Sequence, residues 1–126
     1  MRFCTVVNCM DGRVQLPVIS YLQKRFKVMN VDCITEAGPN LILAENKNIK
    51  SIRSIFDRLK ISIENHKSVG VAVIGHYDCA GNPAPKEEQI QHIQTSVKQI
   101  RKKYDSIEVI GLWVDREWKV REVTEN

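Results

Sequence analysis

Apolar and polar residues along the chain follow two alternating periods. Phe3 to Cys9 (FCTVVNC) is a short run rich in β-branched residues and predicts a buried strand. After the turn-forming Asp11-Gly12, Pro17 fits the first turn of a helix whose apolar face is Val18, Ile19, Leu22 and Phe26. Val28 to Thr35 predicts a second strand, closed by the breakers Gly38-Pro39. A long amphipathic segment follows, with Ile49, Ile52, Ile55, Phe56 and Leu59 on one face. Val69 to Gly75 (VGVAVIG) is the most continuous apolar run, and its length and flanking glycines favour a central parallel strand. Beyond the loop Gly81-Asn82-Pro83-Ala84-Pro85, a helix is predicted with Glu87 and Glu88 at its positive end and Arg101, Lys102 and Lys103 at its negative end. Its stripe is Ile90, Ile93, Val97 and Ile100. Ile107 to Val114 predicts a fourth strand, which Asp115-Arg116 turns into a short return strand, Trp118 to Val123.

The order β-α-β-α-β-α-β-β predicts an α/β fold: a mainly parallel sheet of four strands plus a short antiparallel return strand, with helices on both faces. The 126 residues predict a single domain spanning 1–126, because a second core needs roughly 100 residues more. A chain of this size buries enough surface to need no disulfide framework. The net charge of +4 comes without a dense basic block or an aromatic-interleaved basic face, which argues against nucleic-acid binding. No apolar run approaches the ~20 residues of a membrane-spanning helix, and Met1-Arg2 leads into a strand-like segment instead of a signal peptide. The expected compartment is therefore the cytoplasm. Four cysteines in such a chain point to metal ligands, reactive thiols or small buried residues rather than disulfides.

Chemistry is expected beyond the carboxyl ends of the parallel strands. The first strand ends at Cys9-Met10-Asp11-Gly12-Arg13, and the third at Gly75-His76-Tyr77-Asp78-Cys79. If those strands are neighbours, Cys9, His76 and Cys79 converge on one point. Two thiolates and an imidazole suit zinc, and three protein ligands leave a fourth tetrahedral position open. A redox pair needs Cys-x-x-Cys, which the chain lacks. A phosphatase-type loop needs an arginine after the cysteine, and Ala80 to Pro85 contain none.

Cys9-x-Asp11-x-Arg13 followed by Gly75-His76-x-x-Cys79 resembles the signature of the beta-class carbonic anhydrases. Ala37-Gly38 is similar to that family's Ala-Gly turn, and Ile110 to Val114 to its late strand. The resemblance implies Zn²⁺ on Cys9, His76 and Cys79, and a zinc-bound hydroxide that hydrates CO₂ reversibly to bicarbonate. It implies that Asp11 accepts a hydrogen bond from that hydroxide and that Arg13 orients Asp11. In a closed state Asp11 would itself be the fourth ligand. A homodimer is also implied. Standing alone, Asp11 and Arg13 read as a turn residue and a surface base. Asp78 reads either as a support for the ligand backbone or as a turn cap.

Four features depart from the family pattern, one being that the segment after Cys79 is reduced to one loop and one helix. Thr35-Glu36 stand where Arg-Asn is usual, Gly12 replaces a common serine, and the N-terminal helices that wrap a partner subunit are expected to be missing. Two alternatives stay open beside CO₂ hydration: hydrolysis of a CO₂ analogue such as carbonyl sulfide or carbon disulfide, and a non-catalytic zinc- or anion-binding protein. Cys4 and Cys33 are expected to be buried hydrophobes within strands. His66 is expected at the opposite end of the sheet and His92 on a polar helix face, both solvated. Tyr77 is expected to line the site mouth or to pack, and Trp113 and Trp118 to pack in the core or against a partner.

Overall fold

The computed structural model describes residues 2–125. Five strands, β1 (Phe3–Cys9), β2 (Asn30–Glu36), β3 (Gly70–His76), β4 (Glu108–Val114) and β5 (Val120–Val123), form one sheet in the order β2-β1-β3-β4-β5. The first four are parallel, and β5 returns antiparallel to β4. Four α-helices are present among the described residues: α1 (Gln15–Arg25), α2 (Pro39–Glu45), α3 (Ile49–Lys60) and α4 (Lys86–Lys103). The expected α/β architecture is therefore the observed one.

Two apolar layers hold the helices to the sheet. On one face, Val18 and Leu22 of α1 and Phe26 just after it pack on Cys4, Val6, Ala72, Ile74, Ile110 and Leu112. On the other, Leu43 of α2, Ile55 and Leu59 of α3, and Ile93, Val97 and Ile100 of α4 cover Val7, Ile34, Val71, Val73 and Val109. With a layer on each face, every residue of β3 is buried, which is why that strand carries an unbroken apolar run. Each fully buried Leu or Ile contributes about 1.5–3 kcal/mol of transfer free energy.

Several boundaries differ from the sequence reading. Pro39 does not only close the second strand; it opens α2, with Gly38 before it in the left-handed region at φ 65°. Asn46, at φ 55°, ends α2 and splits the long amphipathic segment in two. Asn48 then caps α3, its side chain accepting from Ser51 N at 3.1 Å. A π-helical turn, Ile61–Asn65, extends α3 toward β3. β2 starts at Asn30, not Val28, because Lys27 takes φ 56° and Val28 folds into the core under α1. The return strand is shorter than read: Trp118 sits at φ 63°, still inside the turn.

Cys33 corrects a further expectation. It lies in β2 as read, but it is exposed, because β2 is the sheet's edge and α1 does not cover that position. Cys4, one strand inward, is fully buried, and burial pushes its thiol up to about 12.

Candidate metal centre

β1 and β3 are adjacent and parallel, so their carboxyl ends open on the same edge of the sheet. Cys9 closes β1, His76 closes β3, and Cys79 follows in the next turn. The ligand atoms of these three buried residues all lie within 4.8 Å of one another. Cys9 Sγ and Cys79 Sγ are 3.8 Å apart, and both thiols are free.

His76 shows how the group is set up. Its Nδ1 lies 2.7 Å from the Tyr77 carbonyl, an oxygen that only accepts, so Nδ1 carries the proton. The Nε2 lone pair then faces the two sulfurs, buried and without a hydrogen-bond partner. A buried polar nitrogen left unpaired costs about 1–3 kcal/mol, which argues for an occupant. Two sulfurs and an imidazole nitrogen with an anchored second nitrogen are a donor set that zinc accepts well. The residues therefore fit a Zn²⁺ ion held by Cys9, His76 and Cys79.

Backbone N–H groups complete the sulfur environment. Gly38 and Asp11 donate to Cys9 Sγ, and Gly81 and Asn82 donate to Cys79 Sγ. The hydrogen bond from Cys79, aided by these donors, pulls the Cys9 thiol down, whereas that same bond and burial push Cys79 up. The donor loops meet closely: a Cβ on Gly38 would lie 2.6 Å from the Gly81 carbonyl carbon, so the Ala37-Gly38 turn admits no side chain there.

Asp11 and Arg13 lie at the rim. Arg13 donates from Nε to Asp11 Oδ1 at 3.0 Å and from Nη2 to Oδ2 at 2.7 Å, and its backbone N–H reaches Oδ1 at 2.9 Å. These bonds hold the Asp11 carboxyl at about 2. Asp11 Oδ2 stands 4.0 Å from His76 Nε2. The same guanidinium reaches Asp78 Oδ2 at 3.2 Å and the Asp78 carbonyl at 3.0 Å, so Asp78 serves Arg13.

Trp118 is a residue whose place the sequence reading did not foresee. Its ring lies 4.5 Å beneath Arg13 Cζ and 6.5 Å from the His76 ring, so it is neither simple core nor free surface. The only sequence signal was a tryptophan at the start of a short hairpin. The remaining candidates do not join the group. His66 is at the opposite end of the sheet, as expected, bonded through Nδ1 to Asp32 Oδ2 at 2.6 Å and stacked on Phe3. His92 is half-buried, not solvated, with Nδ1 3.0 Å from Asn82 Nδ2. Tyr77 is exposed beneath Arg116. Glu36 turns to Arg58 of α3 at 2.5 Å.

Solved structures share this fold. Beta-carbonic anhydrase isoform I of Trichomonas vaginalis superposes with a TM-score of 0.63 at 18% identity, over 97% of this chain and 82% of its own. A carbonic anhydrase of Glaciozyma antarctica gives 0.52 at 17% identity, over 96% and 81%. A beta-carbonic anhydrase described as tetrameric, from Sordaria macrospora, gives 0.58 at 11% identity, over 95% and 79%. The fold is thus that of the beta-carbonic anhydrases. No curated protein sequence matches the chain. Residues 1–124 match the family described as "Putative carbonic anhydrase", and the chain belongs to it.

Proposed function

We propose that this protein catalyses the zinc-dependent, reversible hydration of CO₂ to bicarbonate. Cys9, His76 and Cys79 would hold the ion, and Zn²⁺ there would supply a Lewis acid that brings the pKa of water toward ~7. The chain's own residues do the positioning. Asp11, kept anionic by Arg13, accepts a hydrogen bond from the attacking oxygen and turns a lone pair toward the carbon of CO₂. Arg13 grips both Asp11 oxygens and so would keep the carboxylate from serving as a further ligand. His76 keeps its tautomer through the Tyr77 carbonyl.

The observation that carries this reading is the unpartnered His76 Nε2 facing two sulfurs, beside a carboxylate held by arginine. The large exposed side chains of Met10 and Leu16, flanking the ligand turn, support a homodimer with the partner at that end.

Zinc per chain and stopped-flow CO₂ hydration test the proposal, with Cys9→Ser as the control. One zinc per chain and hydration well above the control are expected. Zinc without hydration leaves a non-catalytic zinc-binding member of the family, and absence of zinc from fresh, reduced protein refutes both. Sedimentation of the reduced protein is expected to give a dimer.

A further inference from the structure

Each strand that ends in a ligand is followed by a helix whose first turn carries a glutamine aimed back at the ligand loop. Gln15 opens α1, and its Nε2 lies 2.7 Å from the Cys9 carbonyl and 2.8 Å from the Asp11 carbonyl. Gln89 sits in the first turn of α4 and is almost fully buried. Its Nε2 lies 2.9 Å from the His76 carbonyl, 3.1 Å from that of Asn82 and 3.3 Å from that of Ala84. All five oxygens are carbonyls, which only accept, so each amide must present its NH₂ group to the loop. The outer amide oxygens have partners too. Asn8 Nδ2 donates to Gln15 Oε1 at 3.4 Å, and Asn40 Nδ2 donates to Gln89 Oε1 at 3.3 Å.

These contacts fall where backbone pairing ends. Among the described residues, the backbone from Asp78 to Ala84 makes no backbone hydrogen bond outside a helix or strand. Cys79 lies within that stretch. Gln89 ties down the carbonyl before it, at His76, and two carbonyls after it. Gly75 is part of the same arrangement, since a Cβ there would come within 2.9 Å of Gln89 Oε1 and 2.7 Å of Asn40 Nδ2.

We propose that Gln15 and Gln89 are positioning residues of the metal centre, a pair of amide clamps that set the spacing of Cys9, His76 and Cys79 before an ion arrives. The inference rests on reading those three residues as the zinc ligands. An amide is required at both positions, because a carboxylate would set negative charge against carbonyl oxygens, and a thioether of the same length would donate nothing.

Gln15→Met and Gln89→Met test the clamps, with zinc affinity from chelator competition, the d–d spectrum of the Co²⁺-loaded protein, and the melting temperature of the metal-free protein. Wild type is expected to bind one zinc per chain. Each variant is expected to bind it about 10- to 100-fold more weakly, with an altered Co²⁺ spectrum. Metal-free Gln15→Met is expected to melt close to wild type, since Gln15 is only half-buried at a helix start. If Gln89→Met does not fold, Gln15→Met decides. A folded Gln15→Met with wild-type zinc affinity and Co²⁺ spectrum overturns the clamps while leaving the zinc site standing. A wild-type protein that binds no zinc overturns the clamps and the zinc reading together.

Discussion

Arg13 and Asp78 stand 65 residues apart in the chain, yet the Arg13 guanidinium bonds both the side chain and the carbonyl of Asp78 while gripping both oxygens of Asp11. One side chain therefore ties the turn after β1 to the turn after β3. Arg13→Ala is expected to free Asp11 to turn toward the metal position and to lower kcat/KM for CO₂ hydration about 10- to 100-fold. Arg13→Lys is expected to restore little, since an ammonium cannot match a forked carboxylate contact. Stopped-flow assays, with a crystal structure of Arg13→Ala, check both statements. A variant that keeps wild-type activity and an Asp11 turned away from His76 would refute them.

Trp118 carries two opposed contributions. Its ring supports Arg13, a cation–π contact of about 0.5–1 kcal/mol, while its left-handed backbone costs roughly 1–2 kcal/mol for a residue with a side chain. Trp118→Ala loses the first and keeps the second; Trp118→Gly loses both. Urea unfolding is expected to find Trp118→Gly about 1 kcal/mol more stable than Trp118→Ala, with equal hydration activity in the two. Equal stabilities would show that the backbone at this turn is unstrained.

The turn that presents Trp118 is held by Asp115, whose Oδ1 accepts from Glu117 N at 2.9 Å and Lys119 N at 3.0 Å. These bonds, Lys119's first, lower the pKa of Asp115. A lowered folded pKa means that the charged form is favoured by folding. Its stabilisation is therefore complete above the ordinary carboxylate pKa of ~3.9 and is lost as pH falls through the folded value. The stability gap between wild type and Asp115→Ala is expected to be constant near neutrality and to shrink below about pH 4. Urea titrations at a series of pH values measure it, and a gap that widens in acid would contradict the assignment.

Gly38→Ala should be among the most damaging single-methyl changes in the molecule. The added carbon meets Gly81 backbone at 2.6 Å and Asn82 N at 2.9 Å, at a residue already in the left-handed region. A loss of about 1–3 kcal/mol or more is expected, together with weaker zinc binding, because Gly38 and Gly81 both donate to the sulfurs. Thermal melts and chelator competition on the variant test this. By contrast Gly12→Ala, whose Cβ meets nothing within 4 Å, should be nearly silent in both assays.

Local pattern was enough to place much of this molecule. VGVAVIG predicted a strand buried on both faces, and every residue of β3 is buried. The charged ends of α4, Glu87-Glu88 and Arg101-Lys102-Lys103, were legible because they answer to the helix dipole, a property of the segment alone. Cys9 and His76 were legible as strand ends, and the α/β order implied that parallel neighbours share an edge. Some misses were local, as where the left-handed Asn46 splits a helix, but others involved a distant part of the chain. Cys33 is exposed because β2 became an edge, which strand order decides and strand composition does not. Trp118 was ambiguous until the β4–β5 turn brought it beneath Arg13. Gln15 and Gln89 drew no notice in the sequence, since an amide reveals its role only through the carbonyls it meets. Hydrophobic period and chain order thus determined most of the elements, the fold class and the candidate ligands. The tertiary structure alone decided how those ligands are held, because hydrogen-bond geometry across residues far apart in the chain leaves no periodic trace in sequence.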